Sequence, residues 1–195
     1  YRCTVAHCNF HLRGEESDRD EKFVQQLSFN LNIPYYSVDF DTVNYAKQKN
    51  ISIEMAAREL RYSWFTSLAE KINAQAIAIA HHADDNVETL LMHLVRGTGL
   101  KGLTGISPKN GLIVRPLLCC TRNEINEYIK NNNLSFIEDS TNQSVDFQRN
   151  KIRLQVIPLL EEINPSVKKV LSESIERFSE INTFYENAIE KIKKQ

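Results

Sequence analysis

The chain has 195 residues, with 24 Lys plus Arg against 25 Asp plus Glu, a net charge of −1, and 42% apolar and 9% aromatic residues. That apolar share can build a core and excludes a disordered chain, while the charge balance excludes a polybasic protein gripping long RNA over its whole surface. The longest apolar run, Ala76–Ala80, is too short to cross a bilayer; no signal peptide is visible at Tyr1-Arg2-Cys3; and the 4 cysteines are too few for a disulfide scaffold, so the expected setting is the reducing cytoplasm with no membrane partner.

Cys3–Phe10 reads as a short strand, followed by a polar loop over His11–Asp20. Phe23, Val24, Leu27 and Leu31 predict a helix over Glu21–Leu31. After Pro34, Tyr35–Phe40 alternates like a strand, and Thr42–Asn50 reads as a short helix. Ser52 is placed to cap a long helix striped by Ile53, Ala56, Ala57, Leu60, Trp64, Leu68 and Ile72. Ala76–Ala80 predicts a buried parallel strand, and Val87, Leu90, Leu91, Leu94 and Val95 predict a helix over Asp84–Arg96. Strand and helix thus alternate, which predicts an α/β fold over 1–111 with an open parallel sheet flanked by helices.

The remainder differs. Residues 112–165 read as a helical extension of the same domain. Leu112–Leu118 is extended, Thr121 and Glu124 form a capping box for a helix through Asn131, and Asp139–Asn150 is a polar loop. Lys151–Ile163 is helical up to Pro158, which should end or kink it. Residues 166–195 form a long amphipathic linker helix, Ser166–Lys194, whose stripe needs a cover; a homodimer through it is one.

Chemistry concentrates at His81-His82-Ala83-Asp84-Asp85-Asn86-Val87-Glu88-Thr89, between the Ala76–Ala80 strand and the next helix. Ligands of open parallel sheets bind beyond the carboxyl ends of strands. Asp84 and Asp85 lie one helical turn from Glu88, so the carboxylates share a face and can hold Mg²⁺ with a nucleotide, or a substrate ammonium group. Acidic residues in a first turn also stabilise a helix dipole with no further role, and His81 or His82 with Asp85 is a third option, as metal ligands.

Five of the 6 glycines lie between Gly97 and Gly111. Their free amides, with Arg96 and Lys101, can cradle phosphate or simply form a surface turn. The loop is neither a Walker loop nor a dinucleotide fingerprint. Arg58 and Arg61, beside Tyr62, suit phosphate or carboxylate recognition or a solvated helix face. Arg149 to Arg153 is a basic patch that can meet RNA phosphates or cap Asp139. Cys3, Cys8, Cys119 and Cys120 contain no Cys-x-x-Cys pair and are read as small buried residues, with no resident metal.

The segments Ala6–Glu21, Ala56–Tyr62, His81–Ile106, Arg115–Leu118, Glu138–Asn142 and Arg149–Arg153, taken in order, resemble the bacterial tRNA(Ile)-lysidine synthetases of the PP-loop ATP pyrophosphatase superfamily. The resemblance implies a PP-loop, Rossmann-like adenine nucleotide hydrolase fold. It also implies that a Ser-Gly-Gly-x-Asp-Ser nucleotide loop belongs ahead of Tyr1 and that tRNA-binding domains follow the last helix, so the chain reads as a fragment, inactive alone. The implied reaction uses ATP and Mg²⁺ to adenylate C2–O of the wobble cytidine in CAU-anticodon tRNA(Ile), after which the amine of L-lysine attacks C2 and AMP leaves. In the implied assignments Asp85 and Glu88 orient lysine or assist Mg²⁺. Arg58 or Arg61 neutralises phosphate or holds the lysine carboxylate, and Asp84 helps bind substrate. His7 and Asn9 lie near the nucleotide, and His82 donates to phosphate. Arg96, Lys101 and the glycine loop shape the anticodon's opening, while Arg149 and Arg153 reach tRNA. Competing readings are another PP-loop tRNA-modifying enzyme such as a thiolase, a non-catalytic RNA-binding module, and a metal-dependent hydrolase built on His81, His82 and Asp85.

Overall fold

The structure, a computed structural model, describes residues 2–144 and 148–194. Residues 145–147 of the expected polar loop, and Tyr1, lie outside the described residues. Its contacts divide the chain into two units, Tyr1–Ile77 and Ala78–Gln195.

The first unit opens as strand, helix, strand: β1 (Val5–Asn9), α1 (Glu15–Asn30) and β2 (Tyr35–Asp39). The two strands pair in parallel, from Val5 beside Tyr35 to Asn9 beside Asp39. Helix α1 begins at Glu15, inside the expected loop. The polarity of Glu15, Glu16 and Asp18 that suggests a loop is the polarity a helix N-terminus favours, since carboxylates there meet the positive end of the helix dipole. Helix α2 (Thr42–Lys49) is capped by the Asp41 side chain, which accepts from the Asn44 N–H, and ends at left-handed Asn50. Ser52 accepts from the Met55 N–H to start α3 (Ile53–Lys71), as the sequence predicts. Helix α2 packs on α3, and Ala46, Ala56, Ala57, Leu68 and Ala69 are buried.

The second unit contains α4 (Ala83–Arg96), α5 (Leu100–Leu103), β4 (Lys109–Asn110), β5 (Ile113–Val114) and α6 (Arg122–Asn131). It continues with α7 (Gln148–Lys151), a π-helical stretch (Ile152–Val156), α8 (Ile157–Ile163) and α9 (Val167–Lys193). At its boundary β3 (Ile77–Ala78) lies in the order β3-β5-β4, with β4 and β5 antiparallel. The described architecture is α/β, with a parallel strand pair, flanking helices and a helical C-terminal segment. The Ala76–Ala80 run departs from expectation: only Ile77–Ala78 is strand, and it alternates between half-buried and exposed because β3 is an edge of its sheet.

Pro158 does not break the helical run. It sits in the first turn of α8, where its missing N–H costs little, and the turn before it widens into the π-helix. The unit's core is Val87, Ile152 and Ile157, with Leu91, Met92 and Leu171 against it. Helix α9 packs on α4, α5 and α8. The cysteines correct a further expectation. Cys3 and Cys119 are exposed, and Cys8 and Cys120 are half-buried, because Cys3 precedes β1 and the adjacent pair sits in a turn after Pro116. Among the described residues no helix is long and apolar enough to cross a membrane.

Candidate functional site

The start of α4 organises the densest set of charges. His82 is its extended N-cap, and the Asp85 carboxylate reaches back to accept the His82 N–H at 3.0 Å, half of a capping box. Asp85, Glu88 and Thr89 then project into a buried face, and Glu88 is only 1% exposed. A carboxylate so buried needs a partner. Arg153, in the π-helical stretch, supplies it bidentately: Nε donates to Glu88 Oε1 at 2.6 Å and Nη2 to Oε2 at 3.1 Å. The same Nη2 lies 3.5 Å from Asp85 Oδ1. The hydrogen bond to Glu88 is the largest cause raising the Arg153 pKa above its ordinary value.

Arg149, one turn earlier, donates to Thr89 Oγ1 at 2.9 Å and sits 3.7 Å from Glu88 and 3.8 Å from Asp85. Buried Asn150 holds this turn in place by donating to the carbonyls of Thr141 and Ser144. The pairing of Arg149 and Arg153 with Asp85 and Glu88 is not among the sequence readings. The signal for it was a four-residue spacing matched to carboxylates three apart, on helices distant in sequence.

Asp84 points elsewhere. Its Oδ2 accepts the Arg122 N–H at 2.7 Å, and its Oδ1 lies 3.5 Å from Lys168 Nζ, so it ties the starts of α6 and α9 to α4. Burial pulls the Lys168 pKa down, but Glu161 and Asp84 outweigh it and the net shift is upward. His82 lies between the carboxylates, Nδ1 at 3.7 Å from Asp84 and Nε2 at 3.5 Å from Asp85, and its buried Nδ1 has no hydrogen-bond partner. Next to it, Arg115 Nε donates to His81 Nδ1 at 3.1 Å. A guanidinium only donates, so His81 accepts there as the neutral tautomer with its proton on Nε2.

The glycine-rich loop is held rather than open. Asn86 Oδ1 accepts the Ile106 N–H at 2.6 Å, and His93 Nδ1 meets the Gly102 carbonyl at 2.7 Å. Gly105 has φ of +65°, and a Cβ there would run into the Asn86 side chain, so glycine is required by both backbone and packing. Arg96 donates to Gln148 at 2.6 Å, and Lys101 is exposed, 4.0 Å from Glu186; neither joins the arginine–carboxylate cluster.

In the first unit, Asn9 is buried at the end of β1, donating to Glu21 at 2.9 Å and Asp18 at 3.3 Å and accepting the His11 N–H at 3.0 Å. Half-buried His7, on the same strand, has its pKa lowered, chiefly by burial, against the opposing pull of Glu21 and Asp20. Arg61 stacks over Phe10 at 5.1 Å and Arg58 over Tyr62 at 4.9 Å, which orients each guanidinium while leaving N–H groups to donate. Beyond the carboxyl ends of β1 and β2 lies an open cavity of about 290 Å³, lined by Phe10, His11, Asp39, Phe40, Asp41 and Thr42. Phe10 and Phe40 stack at 5.6 Å. Sequence alone does not show these aromatic walls, because each phenylalanine stands alone at the end of a strand. Arg58, Arg61, His7 and Asn9 belong to this unit, and His82, Asp84, Asp85, Glu88, Arg149 and Arg153 to the other.

A parallel strand–helix–strand opening with a cavity at the strand ends is the frame of an α/β nucleotide-binding domain. Residues 1–160 match the PP-loop domain family, and the chain belongs to it. Among curated relatives, it is 52% identical over 195 residues to the tRNA(Ile)-lysidine synthase of Parabacteroides distasonis, covering 100% of this chain and 44% of that protein. It is 54% identical over 193 residues to that of Bacteroides thetaiotaomicron, covering 99% of this chain and 45% of that protein. For Porphyromonas gingivalis W83 the figures are 48% over 191 residues, 97% and 42%. The chain therefore spans less than half the length of these curated relatives. Among solved structures, the U34-tRNA thiolase NcsA from Methanococcus maripaludis, with its 4Fe-4S cluster, is similar in fold: TM-score 0.70 at 16% identity, over 90% of this chain and 61% of that one.

Proposed function

We propose that this chain carries the ATP-dependent ligation of lysine to the wobble cytidine of CAU-anticodon tRNA(Ile), the reaction that forms lysidine. The observation that carries this reading is identity of 52% over 195 residues to a tRNA(Ile)-lysidine synthase. In the first step the C2 oxygen of cytidine attacks the α-phosphorus of ATP and pyrophosphate leaves. In the second the lysine amine attacks C2, loses a proton, and AMP departs with the oxygen. Both steps depend on holding the reactants together and on stabilising charge at phosphate.

The residues divide accordingly. Asp85 presents its carboxylate to a lysine ammonium group, with buried Glu88 fixing Arg153 behind it and Asp84 steadying the helix start beside them. Arg149 and Arg153 hold those carboxylates in register and offer their remaining N–H groups to tRNA or to the lysine carboxylate. His82 donates to phosphate. His7 and Asn9 line the nucleotide's side of β1, and Arg58 and Arg61 neutralise phosphate. Arg96, Lys101 and the glycine loop shape the opening for the anticodon. Asp85 and Glu88 are oxygen donors suited to Mg²⁺, but the guanidiniums of Arg149 and Arg153 stand beside them and oppose a resident divalent cation. Mg²⁺ therefore enters this reading with ATP. The reading implies a cytoplasmic setting, where tRNA and ATP meet.

The test is labelled-lysine incorporation by a full-length protein containing this chain, with ATP, Mg²⁺ and either CAU-anticodon tRNA(Ile) or CAU-anticodon tRNA(Met). Incorporation into the isoleucine tRNA alone, and only with ATP, is expected. No incorporation would overturn the reading in favour of another PP-loop tRNA modification or a non-catalytic RNA-binding module. Within that assay Asp85→Asn is the informative variant, because Asn keeps an oxygen for the His82 N–H while removing the charge and the acceptor that faces Arg149 and Arg153. Lysine transfer should fall on the order of 100-fold while tRNA adenylation persists. Turnover equal to the parent's would remove Asp85 from lysine binding.

A further inference from the structure

The turn Arg115–Thr121 wraps the start of α4 and carries two adjacent cysteines. Cys119 is exposed and Cys120 half-buried, and their sulfurs are 3.8 Å apart. The Cys120 carbonyl accepts the N–H of Ala83, the first residue of α4, at 2.8 Å. Two residues on, the Arg122 N–H binds Asp84 at 2.7 Å. The Cys120 N–H is itself held by the Leu117 carbonyl at 2.9 Å. The dithiol is thus one peptide group away from the hydrogen bonds that seat α4.

We propose that Cys119 and Cys120 form a thiol modification site, closing to a vicinal disulfide by exchange with a low-molecular-weight disulfide, and that closure releases the start of α4. The inference is independent of the tRNA reaction. In the first step the Cys119 thiolate attacks one sulfur of the reagent R–S–S–R, forming a mixed disulfide and expelling RS⁻. Cys119 is the exposed sulfur of the two, so the reagent reaches it first. Cys120 then loses its proton to RS⁻ and attacks the Cys119 sulfur, and the second RS⁻ leaves and takes up a proton from solvent. Two thiols become one disulfide, and one reagent disulfide becomes two thiols.

Ordinary disulfides separate their Cα atoms by about 4.4–6.8 Å, whereas adjacent residues on a trans peptide sit about 3.8 Å apart. Closure must therefore distort the Cys119–Cys120 peptide and its flanking dihedrals, and the Cys120 carbonyl moves with them. A bond formed under such strain is readily reduced, which suits a reversible site rather than a structural staple.

The test uses a full-length protein containing this chain, equilibrated with oxidised and reduced glutathione in graded ratios, then alkylated, digested and weighed, with amide hydrogen exchange followed in parallel. At oxidising ratios the peptide holding both cysteines should lose two hydrogens and resist alkylation. The segment around Ala83–Asn86 should then exchange about tenfold faster, as expected from losing one backbone hydrogen bond. Dithiothreitol should reverse both changes. Phenylarsine oxide, which bridges close thiols, should bind the reduced chain one to one at this peptide. Cys119→Ser and Cys120→Ser should each abolish closure and arsenical binding while leaving the reduced-state exchange unchanged. A stable glutathione adduct on Cys119 without ring closure, or a ring that leaves the α4 exchange unaltered, would overturn the proposal. So would a Cys120→Ser chain that still shows faster exchange on oxidation.

Discussion

Glu88 shows how burial turns one residue into a requirement on others. Its carboxylate is almost fully enclosed, and Arg153 satisfies both oxygens. Removing one member of such a pair strands the other. Arg153→Ala is expected to cost on the order of 2–3 kcal/mol in urea unfolding, less than a fully buried pair because about a third of the arginine side chain remains in water. Combining it with Glu88→Met should recover much of that loss, a coupling that a double-mutant cycle reads directly. Arg115 acts on His81 in a different way, by choosing its tautomer. Nitrogen-15 spectra should show His81 protonated on Nε2 in the parent chain and a mixture of tautomers in Arg115→Ala. A mixture already present in the parent would contradict the assigned hydrogen bond.

At the scale of elements, β1, α1 and β2 are joined by polar contacts as well as by apolar ones. Glu21 on α1 receives hydrogen bonds from Asn9 on β1 and Tyr35 on β2. Burial alone would raise its pKa, but the hydrogen bonds from Asn9, Ser37 and Tyr35, with the nearby His7, outweigh it, and the net shift is downward. The folded chain thus binds this proton less tightly than the unfolded chain does. The resulting stability is present above the unfolded glutamate value of about 4.3 and is lost as pH falls through the lower folded value. Melting temperatures measured from pH 7 down to pH 3 should drop more gently on the acid side for Glu21→Gln than for the parent. An identical acid limb would show that the three contacts do not favour the charged form. The same scale explains the glycine loop, whose conformation follows from Asn86 and Gly105 rather than from free backbone.

For the whole molecule, the second half of α9 leaves Ile181, Phe184, Tyr185 and Ile192 more than half exposed. An apolar stripe of that kind favours association in water. The chain is expected to show an apparent mass that rises with concentration in sedimentation, and Phe184→Glu should return it to a monomer without altering its helix content. A monomer at all concentrations would remove the homodimer from consideration.

Local chemistry was readable from residues alone wherever cause and effect lie within one turn. Ser52, Thr121 with Glu124, and the stripes of α3, α4 and α9 declared themselves, because capping and amphipathic spacing are short-range. The same holds for the His81–Ile106 block that carries the family resemblance. What the sequence could mislead about was exposure. The Ala76–Ala80 run reads as a buried strand, and the cysteines as core. In both cases the deciding factor is which neighbour covers the residue, which composition does not specify. The tertiary structure alone decided that Arg153 faces Glu88 across 65 positions of sequence. It alone placed the Cys120 carbonyl on the first amide of α4. Such pairings arise because a buried charge or amide must find a partner, and only packing determines which of the many available groups arrives.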